Sequence, residues 1–187
     1  MLGLKKRGKT KQGQVWIETV LYTLIALSLI ALVLAFVRPK IEQSQDRIVL
    51  EQTIDALNRL DDQIFSVRTG GTGNVRTPEL SLKEGSLTID GTNEKIIYEM
   101  DETRLIYSEP GVPITDGKIE IMTTKGSRYN KIELTLNYVN SGINIAFQDD
   151  ESGIKQLTKS ASSYKLRIEN SGEDSLGTKT KINFDLI

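Results

Sequence analysis

Residues 20–37, VLYTLIALSLIALVLAFV, form an uncharged run of 18 residues, and this run constrains the fold more than any other stretch of the chain. As a helix it spans about 27 Å, close to the hydrocarbon thickness of a bilayer. The run predicts a membrane segment, and the residues after it are read as cargo on that segment. The chain has 187 residues. Once the first 70 are set aside, about 115 remain, which suits one soluble domain and leaves no room for a second of enzyme size.

A basic leader precedes the run: Lys5, Lys6, Arg7, Lys9 and Lys11, with no acid among residues 1–13. After it, Arg38, Lys40 and Arg47 are interleaved with Glu42 and Asp46. Lysines and arginines near the ends of a span set its orientation, so the N-terminus is expected in the cytoplasm and the rest outside. Trp16 and Tyr22 flank the run as interface anchors. Behind it comes Arg38-Pro39-Lys40 and a helical pattern, with no small-residue site for signal peptidase.

The remainder of the chain is acidic. The 24 basic groups, less the five of the leader, leave 19 against 25 acidic ones, a net charge of −6. That balance argues against a nucleic-acid partner. Cysteine and histidine are absent. Disulfide frameworks, thiolate or imidazole metal sites and Ser-His-Asp or Cys-His nucleophiles are thereby excluded.

Gly13 separates the leader from Gln14-Val15-Trp16-Ile17-Glu18. This stretch resembles the N-terminus of type IV pilin-like proteins, and among them the archaeal class III signal peptides. In that family a dedicated peptidase cuts on the cytoplasmic side of the apolar segment, commonly after a glycine, and leaves a glutamate as the fifth mature residue. Gly13, Gln14 and Glu18 occupy those positions. Trp16 stands where serine is frequent and Tyr22 where leucine is.

The resemblance implies cleavage between Gly13 and Gln14 by a prepilin-type peptidase. It further implies self-association through the apolar helix, driven by an assembly ATPase and a membrane platform. Glu18 also has an account in general physics. A carboxylate carried to mid-membrane costs roughly 2.5–3.5 kcal/mol, less at the edge, so it wants a partner. Cleavage would create an α-amino group four residues away, and the resemblance implies that Glu18 of one subunit pairs with that amine on another. An interfacial carboxylate reaching the headgroups is the plain alternative.

Beyond Pro39 the period stays helical. Leu50, Ile54, Leu57, Leu60 or Asp61, and Ile64 share one stripe, with Glu51, Asp55, Arg59 and Asp62 on other faces. One helix is expected from residue 16 to about residue 67, near 75 Å long. Pro39 should kink or locally melt it by removing a hydrogen bond to Ala35, and Gly70-Gly71 should end it.

After residue 75 the period becomes 2. Residues 86–89, 118–121, 131–138, 142–147, 164–169 and 181–186 alternate apolar with polar, and 95–100 and 104–108 add two more runs. Hairpin punctuation falls at Glu84-Gly85, Asp90-Gly91, Asp116-Gly117, Lys125-Gly126, Ser141-Gly142 and Ser171-Gly172. Residues 154–163 read equally as a short helix or an irregular strand. Asp149-Asp150-Glu151 is an acidic loop without EF-hand spacing. No catalytic residues, metal ligands or cofactor are expected, and the sequence has no Asn-x-Ser/Thr site.

The expected fold is α+β: a long N-terminal helix followed by an antiparallel all-β head, a sandwich or a curled sheet. Its parts are a leader at 1–13, a transmembrane and assembly helix at 14–38, an amphipathic stalk at 39–69 and an extracellular domain at 70–187. The expected function is that of a structural subunit of a type IV pilus-like filament. Its precursor sits in membrane lipid with the N-terminus in the cytoplasm. The alternative is an uncleaved anchor that presents the β domain outside as a binding module.

Overall fold

The computed structural model describes residues 11–187, with side chains from Val15 onward. The architecture is α+β. Among the described residues a single helix, α1 (Lys11–Thr69), precedes eleven strands. The chain divides into two compact units, the first ending at Glu42 and the second comprising Gln43–Ile187.

Helix α1 has 59 residues and runs through Pro39 without a break in its assignment, so the local melting expected there does not occur. Proline leaves one carbonyl of the preceding turn without its donor, which a helix tolerates at a single position. The helix stops at the glycine pair. Gly70 still bonds to the Ser66 carbonyl at 3.0 Å, and Gly71 takes a φ of 82°, the left-handed conformation on which helices commonly end.

The strands make two sheets. In the first, β1 (Val75–Arg76) and β2 (Glu79–Leu80) both pair with β10 (Tyr164–Glu173). Between them the Pro78 carbonyl accepts from Leu166, so the two behave as one edge strand interrupted at the proline. β10 then pairs with β11 (Thr180–Leu186), and β11 with β8 (Ile143–Phe147).

The second sheet has the order β5 (Ile114–Asp116), β6 (Ile119–Thr124), β7 (Asn130–Asn137), β4 (Lys95–Thr103), β3 (Ser86–Asp90), β9 (Ile154–Thr158). All pairings are antiparallel except β8 with β11, which is parallel; the chain between them runs through β9 in the other sheet and β10 in this one.

Several local expectations are corrected. Glu84-Gly85 joins β2 to β3 and Ser141-Gly142 joins β7 to β8, each passing from one sheet to the other, so neither closes a hairpin. Residues 104–108 form no strand. Thr103 accepts from the Leu105 amide at 3.0 Å and donates to Asp46 at 2.6 Å, and these side-chain bonds draw the backbone off the ladder. Ser171-Gly172 is a bulge inside β10 and not a hairpin turn, since the Asn170 side chain takes the Gly172 amide at 3.0 Å. Residues 154–158 are a strand, which settles the open segment.

The core lies in the second unit. Leu50, Ile54, Leu57, Leu60, Ile64 and Val67 of α1 are buried in one cluster with Ile89, Ile96, Tyr98, Ile121, Leu134, Ile168 and Phe184 of the sheets. Each such side chain stabilises the fold by roughly 1.5–3 kcal/mol on burial. The second half of α1 is therefore a core element of the head.

Candidate functional site

The candidate site is the apolar stretch of α1. From Val15 to Val37 every described side chain is exposed on every face of the helix, with Trp16 at 70 %, Tyr22 at 67 % and Phe36 at 72 %. A helix apolar all round and uncovered by the described residues calls for an apolar solvent or a partner. The stretch is long and apolar enough to cross a membrane, as a signal sequence would also be. A long apolar N-terminal helix is compatible with membrane anchoring.

Its three aliphatic hydroxyls are turned inward on the helix itself. The hydroxyl of Thr19 donates to the Val15 carbonyl at 2.9 Å, that of Thr23 to Val20 at 2.9 Å, and that of Ser28 to Leu24 at 2.8 Å. Each hydroxyl proton is thus satisfied without water, the condition for a polar side chain to enter hydrocarbon cheaply. Glu18 is the only acid between residues 15 and 37, and it is exposed.

Of the predicted site residues, Lys5, Lys6, Arg7 and Lys9 lie outside the described residues, as do the side chains of Lys11 and Gln14. The backbones of Lys11, Gly13 and Gln14 are helical, in the first described turn of α1. Gln14 and Glu18 are four residues apart, one turn of helix and about 6 Å of rise. Glycine destabilises a helix by about 0.5–1 kcal/mol relative to alanine. Gly13 thus weakens α1 locally, at the bond before Gln14.

In the head, sequence reasoning missed a buried polar cluster. Asp61 is 4 % exposed, at the margin of the apolar stripe. It accepts from the Tyr138 hydroxyl at 3.0 Å and pairs with Lys118 Nζ at 2.8 Å. The Lys118 ammonium also lies 3.6 Å from the centre of the Phe65 ring. Burial, and then the Asp61 charge, push the Tyr138 hydroxyl well above its usual pKa. The signal for Asp61 was a carboxylate in register with a core stripe.

Further polar bonds hold the same helix. Gln43 donates to the Arg104 carbonyl at 3.1 Å, Arg68 to that of Ser141 at 2.7 Å, and Asn170 to those of Val67 and Arg68 at 3.3 and 3.2 Å. The acidic loop does not converge. Asp149 faces Lys181 at 3.5 Å, Asp150 takes Ser152, and Glu151 takes Ser175. Among the described residues no group of three or more acidic side chains is placed to hold a metal ion.

Neither the sequence, against protein-family models and curated proteins, nor the fold, against solved structures, gave a match.

Proposed function

We propose that the chain is a structural subunit of a type IV pilin-like surface filament. It is inserted in the membrane as a precursor, cut between Gly13 and Gln14 by a prepilin-type peptidase, and assembled through its N-terminal helix by an ATPase and membrane platform. The role is non-enzymatic.

The observation that supports this reading is an exposed, predominantly apolar helix bearing one carboxylate a single turn from a glycine bond. Leaving lipid for neighbouring helices brings no large hydrophobic gain, so packing and specific polar pairs set the register. A Glu18 carboxylate facing a neighbour's new α-amine is such a pair. The basic leader then fixes orientation before it is removed.

Intact mass of the membrane-extracted protein tests the cut, with a mature chain beginning at Gln14 as the expected result. Glu18→Ala should insert normally and form few or no filaments, as seen by electron microscopy of sheared cells. Filaments of ordinary abundance from Glu18→Ala would refute the pairing.

A second reading is favoured by the helical state of Gly13 and Gln14. An uncut anchor keeps α1 whole from Lys11 and presents the head outside the cell as a binding module. Recovery of the chain with Met1 intact selects that reading.

A further inference from the structure

The six-stranded sheet ends on β5 at one side and β9 at the other, and no described strand covers either outer edge. Every residue of β5 is exposed, and Ile154 at the start of β9 is 61 % exposed. Exposed edges of this kind offer unpaired amides and carbonyls to another chain.

The pleat fixes which side chains would meet there. Ile114 and Asp116 pair with Ile121 and Ile119, whose side chains are buried, so both stand on the inner face of the sheet. Lys155 and Leu157 pair with the buried Ile89 and Leu87 and stand on the same face. The acid is on one edge and the base on the other.

We propose that β5 of one copy adds antiparallel to β9 of a second copy, with Ile114 opposite Leu157, Thr115 opposite Gln156 and Asp116 opposite Lys155. In this register the inner faces continue from sheet to sheet, apolar beside apolar and carboxylate beside ammonium. Pro113 falls opposite Thr158, whose carbonyl already accepts the Tyr164 hydroxyl at 2.8 Å, so the missing proline amide is not needed there.

Self-pairing fits worse. Two β5 strands centred on Thr115 set Ile114 against Asp116, and two β9 strands centred on Gln156 set Lys155 against Leu157. The short strand, the proline and the lysine, devices that usually protect an edge, here exclude other registers. The contact is heterologous, so it propagates instead of closing on a dimer. It deepens the filament reading and rests on it, because three residue pairs hold only where anchoring raises the local concentration.

The test uses the full-length chain in its own cells, and the absence of cysteine makes introduced thiols unambiguous. Facing residues of such a pair lie about 4.5–5.5 Å apart at Cα, within disulfide reach. Thr115→Cys with Gln156→Cys should give a ladder of covalent multimers on mild oxidation, while neither single variant gives dimers. On that background Asp116→Lys or Lys155→Asp should each cut the ladder about fivefold or more, and the double swap should restore it.

Dimers from Thr115→Cys alone, or no ladder from the pair, overturn the proposal. Normal filaments without a ladder discard the edge contact and leave the filament reading standing. A ladder in cells that build no filament supports the contact and removes the filament reading.

Discussion

Replacing Tyr138 by phenylalanine removes one hydroxyl and leaves the ring, which packs on Phe65 with centroids 6.5 Å apart. The hydroxyl is the buried donor to Asp61, a carboxylate 4 % exposed. A hydrogen bond to a charged group contributes about 1.5–3 kcal/mol, and its loss leaves one carboxylate oxygen in the core without that donor. The ion pair on the other oxygen is weaker in effect, because the Lys118 side chain is 59 % exposed and water can replace it. Tyr138→Phe should therefore destabilise the head by about 1.5–3 kcal/mol and Lys118→Met by about 1 kcal/mol or less. Urea unfolding of the full chain in detergent, followed by near-ultraviolet circular dichroism of the tyrosines, measures both. An unchanged slope with a shifted midpoint marks a pure stability effect. If Lys118→Met costs as much as Tyr138→Phe, then the ion pair holds Asp61 and the reasoning from burial is wrong.

Alkaline pH should act through the same residue and through Tyr98. Burial raises both hydroxyls, Tyr98 to about 12. Unfolded tyrosines release their protons near pH 10 while the folded ones keep theirs, so stability is full below about pH 10 and falls above it. Each tyrosine contributes a slope of up to about 1.4 kcal/mol per pH unit, and the Tyr98 share ends near pH 12. Urea midpoints between pH 8 and 11.5 should flatten in Tyr98→Phe with Tyr138→Phe, and an unchanged slope rejects the assignment. Asn170→Ala should cost about 1–3 kcal/mol, because it strips donors from two carbonyls in the last turn of α1. Hydrogen exchange should then rise in residues 66–70 before it rises in β6 or β7.

Helix α1 was legible because its signals are local. Eighteen uncharged residues, a 3.6-residue stripe from Leu50 to Ile64 and a glycine pair each act within a few turns. Most strands were legible for the same reason, since alternation on a half-buried sheet is written in the strand itself. The features that escaped depend on distance along the chain. The partner of Asp61 is 77 residues away, and β8 meets β11 in parallel through a crossing that no single segment encodes. Residues 104–108 carry apolar residues as a strand would, yet Thr103 and Asp46 claim the backbone first. The proposed cut at Gly13–Gln14 rests only on a pattern of residues, because peptidase recognition leaves no mark on packing.

The two halves of α1 differ in burial, exposed from Val15 to Val37 and buried along the Leu50–Val67 stripe, and that difference bears on how any pull on the N-terminal helix reaches the head. Residues 15–37 are exposed among the described residues, so any contacts they make with lipid or a partner can be exchanged at small cost. Leu50, Leu57, Ile64 and Val67 are fully buried among the strands. Removing even one such leucine from a core costs about 2–5 kcal/mol, so stripping the stripe out means unfolding the head. The helix–head junction thus outlasts any single lipid or helix contact. Leu57→Ala separates the two roles: it should loosen the head by that amount while membrane extraction of residues 15–37 stays the same, and altered extraction would show that the halves are not independent.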